Sequence, residues 1–121
     1  MNDVWFWCLM INNLSTKKVV SRKTVFCRSV WSKARGLMFT KKSDKALVFI
    51  FDKEKPISLH MFFVFYPIDV LFLDGKKRVV QLKEYFKPCH ITFCKSAQYV
   101  IELPVGTIER TKTNVGDSVR F

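Results

Sequence analysis

Asp69 interrupts the apolar run Ile68-Asp69-Val70-Leu71-Phe72-Leu73, and from Met61 to Leu73 it is the only charged side chain. Burying a carboxylate without a partner costs several kcal/mol, so the sequence demands one. Arg35, in Ala34-Arg35-Gly36-Leu37-Met38-Phe39, is the expected partner, because a guanidinium meets a carboxylate through two parallel hydrogen bonds and tolerates burial better than an ammonium. A purely structural ion pair or turn cap would meet the same demand. Glu102, in Tyr99-Val100-Ile101-Glu102-Leu103-Pro104, is placed by strand alternation on the side opposite Ile101 and Leu103. If both carboxylates bordered one cleft, they could bind a cationic or hydroxylated ligand, or act as acid and base in a hydrolase. His60 opens His60-Met61-Phe62-Phe63 without a nucleophile beside it. A ring satisfied by a backbone carbonyl, or one orienting a ligand at a pocket mouth, suits it better than catalysis.

Other chemistries find less support. Cys89, His90 and Cys94 give C-H-x(3)-C, with Cys8 and Cys27 far off in sequence. The paired C-x(2)-C knuckle of structural zinc sites is missing, so no metal is expected and the thiols read as reduced and inert. A Cys89–Cys94 disulfide would be expected only in a hyperthermophile. No phosphate loop, dinucleotide-binding glycine motif, nucleophile elbow or zinc-protease helix occurs, so no cofactor is expected and an enzyme is the lesser expectation.

Charge offers a second kind of site. The chain carries 21 Lys and Arg against 10 Asp and Glu, a net charge of +11. Residues 1–45 hold ten of the basic side chains and two of the acids, so most of the excess sits in the first third. Lys17, Lys18, Arg22, Lys23, Arg28, Lys33, Lys41 and Lys42 form one expected basic face, interleaved with Phe26, Trp31 and Phe39. That pattern suits phosphate contact and base stacking, though a merely solvated face reads the same way and no known nucleic-acid motif accompanies it.

The elements that must position these residues are mostly strands. Short apolar runs rich in Val, Ile, Phe and Trp, bounded by polar clusters, predict strands at about 4–12, 18–27, 46–52, 59–65, 68–74, 78–83, 97–103 and 118–121. Asn12-Asn13 and Ser15-Thr16 suit a turn, and Asp74-Gly75 between apolar runs is the clearest hairpin signal. Lys53-Glu54-Lys55-Pro56 predicts another turn. One helix is expected at about 29–36 between Ser29 and Gly36, and a short helix or turn at 106–112 with Thr107 as cap and Glu109 in its first turn. The expected fold is mainly β: an antiparallel sandwich or barrel of about seven to eight strands with one or two short helices, buried on both faces near Met61 to Leu73.

Composition agrees. At 121 residues, 49% apolar and with 12 Phe, the chain is one domain's length and can bury a core without staples, which excludes disorder. There is no repeat, low-complexity tract or linker, so residues 1–121 read as a single domain. Val4 to Ile11 is too short to span a membrane and lacks a basic leader, so a core strand and a cytoplasmic protein are expected.

Arg35-Gly36-Leu37-Met38-Phe39, His60-Met61, Pro67 through Gly75, Tyr99 through Pro104, Gly106-Thr107 and Val115-Gly116-Asp117 together resemble domain-of-unknown-function family 192 over about residues 8–121. The resemblance implies a compact, mostly β domain of sandwich or barrel type with no established activity. It places the family's arginine on Arg35, its buried aspartate on Asp69, its glutamate on Glu102 and a further aspartate on Asp117. His60-Met61-Phe62-Phe63 stands where many members have Trp-Met-Lys-Asn, which looks like the archaeal type. Lys112 stands where members often end the helix with glycine, which weighs against a left-handed cap there. The resulting expectation is a non-enzymatic binding module, a monomer or weak dimer off the membrane. An unknown small ligand would sit in a polar pocket bordered by Arg35, His60, Asp69, Glu102 and Asp117, with a nucleic acid as the alternative partner.

Overall fold

The computed structural model describes residues 4–7, 10–28, 46–60, 67–87 and 91–121. The strands are β1 (Val4–Trp7), β2 (Ile11–Asn13), β3 (Lys18–Ser21), β4 (Thr24–Arg28), β5 (Ala46–His60), β6 (Ile68–Leu73), β7 (Val79–Phe86), β8 (Ile91–Pro104) and β9 (Val119–Arg120), with helix α1 (Thr107–Thr111) between the last two. They form a six-stranded sheet in the order β1-β4-β5-β8-β6-β7 and a three-stranded sheet in the order β3-β2-β9. Every strand pair is antiparallel except β4 with β5. The expected β-sandwich is therefore present, and among the described residues it does not close into a barrel. The helix expected at 29–36, and Met61, Phe62, Phe63 and Phe65, lie outside the described residues.

Strand alternation sorts the core into two layers, one on each face of the large sheet. On one face Val48, Leu71, Leu73, Ile101 and Leu103 pack with Ile11, Val20 and Val119 of the small sheet and Ile108 of α1. On the other, Phe49, Val70, Phe72 and Val100 pack with Ile57, Phe86, Cys94 and Ala97. All six residues of β6 are buried, Asp69 included, as its apolar character on both faces predicts for a strand covered on both sides.

The far ends of β5 and β8 reach the second layer because the ribbon they form is irregular. Ile50 opposes Tyr99 and Lys55 opposes Ala97, so residues 51–54 stand against Gln98 alone. Such extra residues bend and twist a strand. This corrects the turn expected at Lys53 to Pro56: the strand runs on to His60, and Pro56 is tolerated because it falls at a second register shift. The single strand expected at 18–27 is also corrected. It breaks at Arg22-Lys23, sending β3 to the small sheet and β4 to the large one.

The Asp74-Gly75 hairpin forms, with a division of labour that the dipeptide does not reveal. Lys77 N–H donates to the Asp74 carbonyl at 3.0 Å, and the residue that turns through positive φ is Lys77, at 61°. Asp74 Oδ1 accepts from the N–H groups of Lys76 and Arg78. Gly75 serves close approach instead: its N–H donates to Glu54 Oε2 at 2.7 Å, and a Cβ there would come within 2.8 Å of Gln98 Oε1.

Helix α1 occupies the segment expected, with different caps. Gly106, not Thr107, is the N-cap, and Thr107 Oγ1 donates to the Pro104 carbonyl at 2.7 Å. Lys112 does adopt the left-handed conformation, φ 58°, correcting the expectation drawn from its missing glycine. The Thr113 N–H donates to the Ile108 carbonyl at 3.2 Å, a helix-end bond that holds a conformation which a lysine enters at a cost. Lys112→Gly is expected to raise unfolding free energy by about 0.5–1 kcal/mol, read from the urea midpoint.

Cys94 is buried, and that burial raises the pKa of its thiol, with the backbone of Ser96 partly opposing. A thiol held protonated by folding contributes stability that is complete below the ordinary thiol value of 9.0 and is lost as the pH rises beyond it. The stability advantage of the parent over Cys94→Ala should therefore shrink above that pH in parallel urea titrations. An advantage independent of pH would show that the thiol is not shielded.

Candidate functional site

Asp69 lies on the same face of β6 as Leu71 and Leu73, facing α1, and is 1% exposed. Among the described residues its partners are backbone. Oδ1 accepts from the N–H of Tyr85 and Oδ2 from the N–H of Ile108, each at 2.9 Å. Ile68 opposes Phe86 and Val70 opposes Lys83, so Glu84 and Tyr85 bulge opposite Asp69, with Tyr85 at φ 51°. The carboxylate therefore does two jobs. It holds the bulge of β7 in a strained conformation, and it satisfies an orphan N–H of α1 that the side-chain-free Gly106 cannot cap. Two charge-assisted bonds help satisfy the buried carboxylate. Arg35, its expected partner, lies outside the described residues.

Asp117 belongs to a second polar cluster. Its Oδ2 accepts from Asn13 Nδ2 at 3.0 Å and from the Asn114 N–H at 2.9 Å. Asn13 Nδ2 also donates to Thr113 Oγ1, while Asn13 Oδ1 accepts from the N–H groups of Ser15 and Thr16. The turn after β2 is thus shaped by the Asn13 side chain, whereas the positive φ expected of Asn falls on Lys17.

Glu102 is 4% exposed and shares the Val70 and Val100 face of the large sheet, as alternation predicts. Because Asp69 pairs in register with Leu103 and Glu102 with Val70, the two carboxylates project from opposite faces. They cannot flank one cleft, which removes the hydrolase built on them. His60 ends β5 opposite Ile91, and its side chain lies outside the described residues. Of the five expected pocket residues, the three whose side chains are described, Asp69, Glu102 and Asp117, occupy three separate environments.

A cleft of about 530 Å³ opens elsewhere, between the corner Val19-Val20-Ser21-Arg22-Lys23 and the turn Pro104-Val105-Gly106-Thr107, with Arg110 between them. Each wall is braced. Ser21 Oγ donates to the Lys23 carbonyl at 2.8 Å across the corner where the chain changes sheets. Arg110 donates from its two terminal nitrogens to the carbonyls of Val19 and Val20, at 3.1 and 3.0 Å. The opposite wall is held by Thr107 on Pro104 and by Asp69 on Ile108. Arg22 and Lys23 of the expected basic face line this cleft, and Lys17 and Lys18 are exposed on the turn leading into β3. Arg28 contributes backbone to β4, while Lys33, Lys41 and Lys42 lie outside the described residues. Sequence reasoning missed Arg110, Val105 and Gly106. The available signal was a Gly-Thr helix start followed by an arginine on a helix with no acidic partner at i+4, a pattern too common to single out.

Fold and cleft define a small mixed β-sandwich whose buried acids on the described strands are engaged within its own scaffold. The chain belongs to domain-of-unknown-function family 192: residues 12–121 match the family described as "Uncharacterized ACR, COG1430". It is 37% identical to a UPF0127 protein of Thermococcus sibiricus over 113 residues, 91% of this chain and 73% of that protein. It is 45% identical to a UPF0127 protein of Pyrococcus horikoshii over 92 residues, 74% of this chain and 78% of that protein. Two solved structures share the fold at 22% identity. One, a protein of unknown function from Novosphingobium aromaticivorans, gives a TM-score of 0.77 over 93% of this chain and 82% of its own. The other, a putative transcription regulator from Sinorhizobium meliloti, gives 0.74 over 92% and 89%. No helix among the described residues is long and apolar enough to cross a membrane.

Proposed function

We propose that this protein is a non-enzymatic binding module whose site is the cleft between the β3–β4 corner and the turn before α1. The supporting observation is a concave surface of about 530 Å³ whose two walls are tied down by hydrogen bonds before any ligand arrives. Pre-organisation of this kind lowers the ordering cost of binding, and the volume suits a small molecule. In this reading Asp69 and Asp117 shape the scaffold without touching the ligand, and the protein works in the cytoplasm as a monomer or weak dimer.

A fragment screen followed by amide NMR tests the reading. Shifts should concentrate at Val19 to Lys23 and Val105 to Arg110; binders that cluster elsewhere, or none at all, would refute it. The alternative of a nucleic-acid partner draws on Lys17, Lys18, Arg22 and Lys23, all exposed near one corner. It requires oligonucleotide binding that weakens steeply with salt, as displaced counterions dictate.

A further inference from the structure

The chemical class of the ligand can be narrowed, on the footing that the cleft is the site. Its charged lining is cationic throughout: Arg22, Lys23 and Arg110 contribute positive charge, and no Asp or Glu lines it. Among the described residues no carboxylate pairs with any of the three. Arg110 spends its hydrogen bonds on neutral carbonyls, which orient the guanidinium without cancelling its charge. Arg22 Nη1 reaches only the Met10 sulfur, at 3.5 Å, a weak acceptor that a charged oxygen would displace. The remainder of the lining includes Val19, Val20, Pro104 and Val105, which give an apolar surface beside the cations.

We infer that the cleft takes a small ligand with an oxyanion headgroup, phosphate or carboxylate, on an apolar body. The headgroup meets Arg22 and Lys23, and the body lies against Val19, Val20, Pro104 and Val105. Arg110 supplies long-range field while bracing β3.

Phenyl phosphate, benzoate and benzyl alcohol, titrated at low salt with calorimetry and amide NMR, share a ring and differ in charge. Both anions should shift the amides of Val19 to Lys23 and Val105 to Arg110 and bind at least about tenfold more tightly than the alcohol. A phosphate bound more tightly than benzoate assigns the headgroup to a phosphate ester, and the reverse assigns it to a carboxylate. The Arg22→Ala/Lys23→Ala double variant, at two exposed positions, should lose the preference for anions while keeping the weak affinity for the alcohol. Equal binding of all three in the cleft overturns the anion assignment and leaves the site standing; binding of none of them there counts against both. Oligonucleotide affinity that grows with length, with shifts spreading to Lys17 and Lys18, overturns the small ligand in favour of nucleic acid.

Discussion

Asp69→Ala should cost about 3–4 kcal/mol of unfolding free energy, because it strands one buried and one part-buried backbone N–H that a charged acceptor now satisfies. For a chain of this size that corresponds to a fall in Tm of roughly 10–20 °C. The loss should be directional. Hydrogen exchange should quicken at the Ile108 and Tyr85 amides, and the cleft wall at Val105-Gly106 should loosen with them, since α1 keeps no cap of its own. Asp69→Asn preserves the volume and one acceptor but aims an NH2 group at a donor, so about half the loss or more is expected, with one of the two amides deprotected first. A variant within about 0.5 kcal/mol of the parent would show that the two bonds do not hold the scaffold.

Asn13→Ala should cost about 3–4 kcal/mol, since a fully buried side chain makes four hydrogen bonds, one of them to a carboxylate. The effect is large because the bonds join regions 104 positions apart in sequence, β2 and the segment before β9. Asn13→Asp keeps the acceptor for Ser15 and Thr16 yet faces Asp117 with a like charge, so it should be nearly as damaging. Adding Asp117→Asn restores a donor between the two and should recover part of the loss. Denaturant curves of the parent, Asn13→Asp, Asp117→Asn and the double variant measure that coupling, and additive losses would mean that the pair does not interact.

The two acids illustrate how far the sequence could be read. The anomaly at Asp69 is visible because one charge stands among apolar residues. Its two backbone partners are invisible, because every residue but proline carries an N–H and only the fold brings these two near. The guanidinium expected beside it belongs to Arg35, outside the described residues. Glu102 went the other way: strict alternation placed it opposite Ile101 and Leu103, and the sheet agrees. The break at Arg22-Lys23 was hidden because both halves of 18–27 have equal strand propensity, and the decision to change sheets is made by packing on Val20 and Phe26. Lys112 shows the capping bonds of the helix end, anchored by the distant Asn13 on Thr113, overriding the residue's own preference. The cleft escaped notice for the same reason as the cap, being made where strand corner and turn meet.

The pairing of β2 with β9 sets an order of events during synthesis. Asn13 finds Val119 in register only once nearly the whole chain is available. The large sheet relies mostly on partners nearer in sequence, whereas the small sheet must close the longest loop of the described residues, an entropic cost met late. The cover over Val48, Leu71 and Ile101 is therefore completed late, when β9 joins β2. Ile11 and Val20 can cover part of that face early, and Val119 completes it only when the longest loop closes.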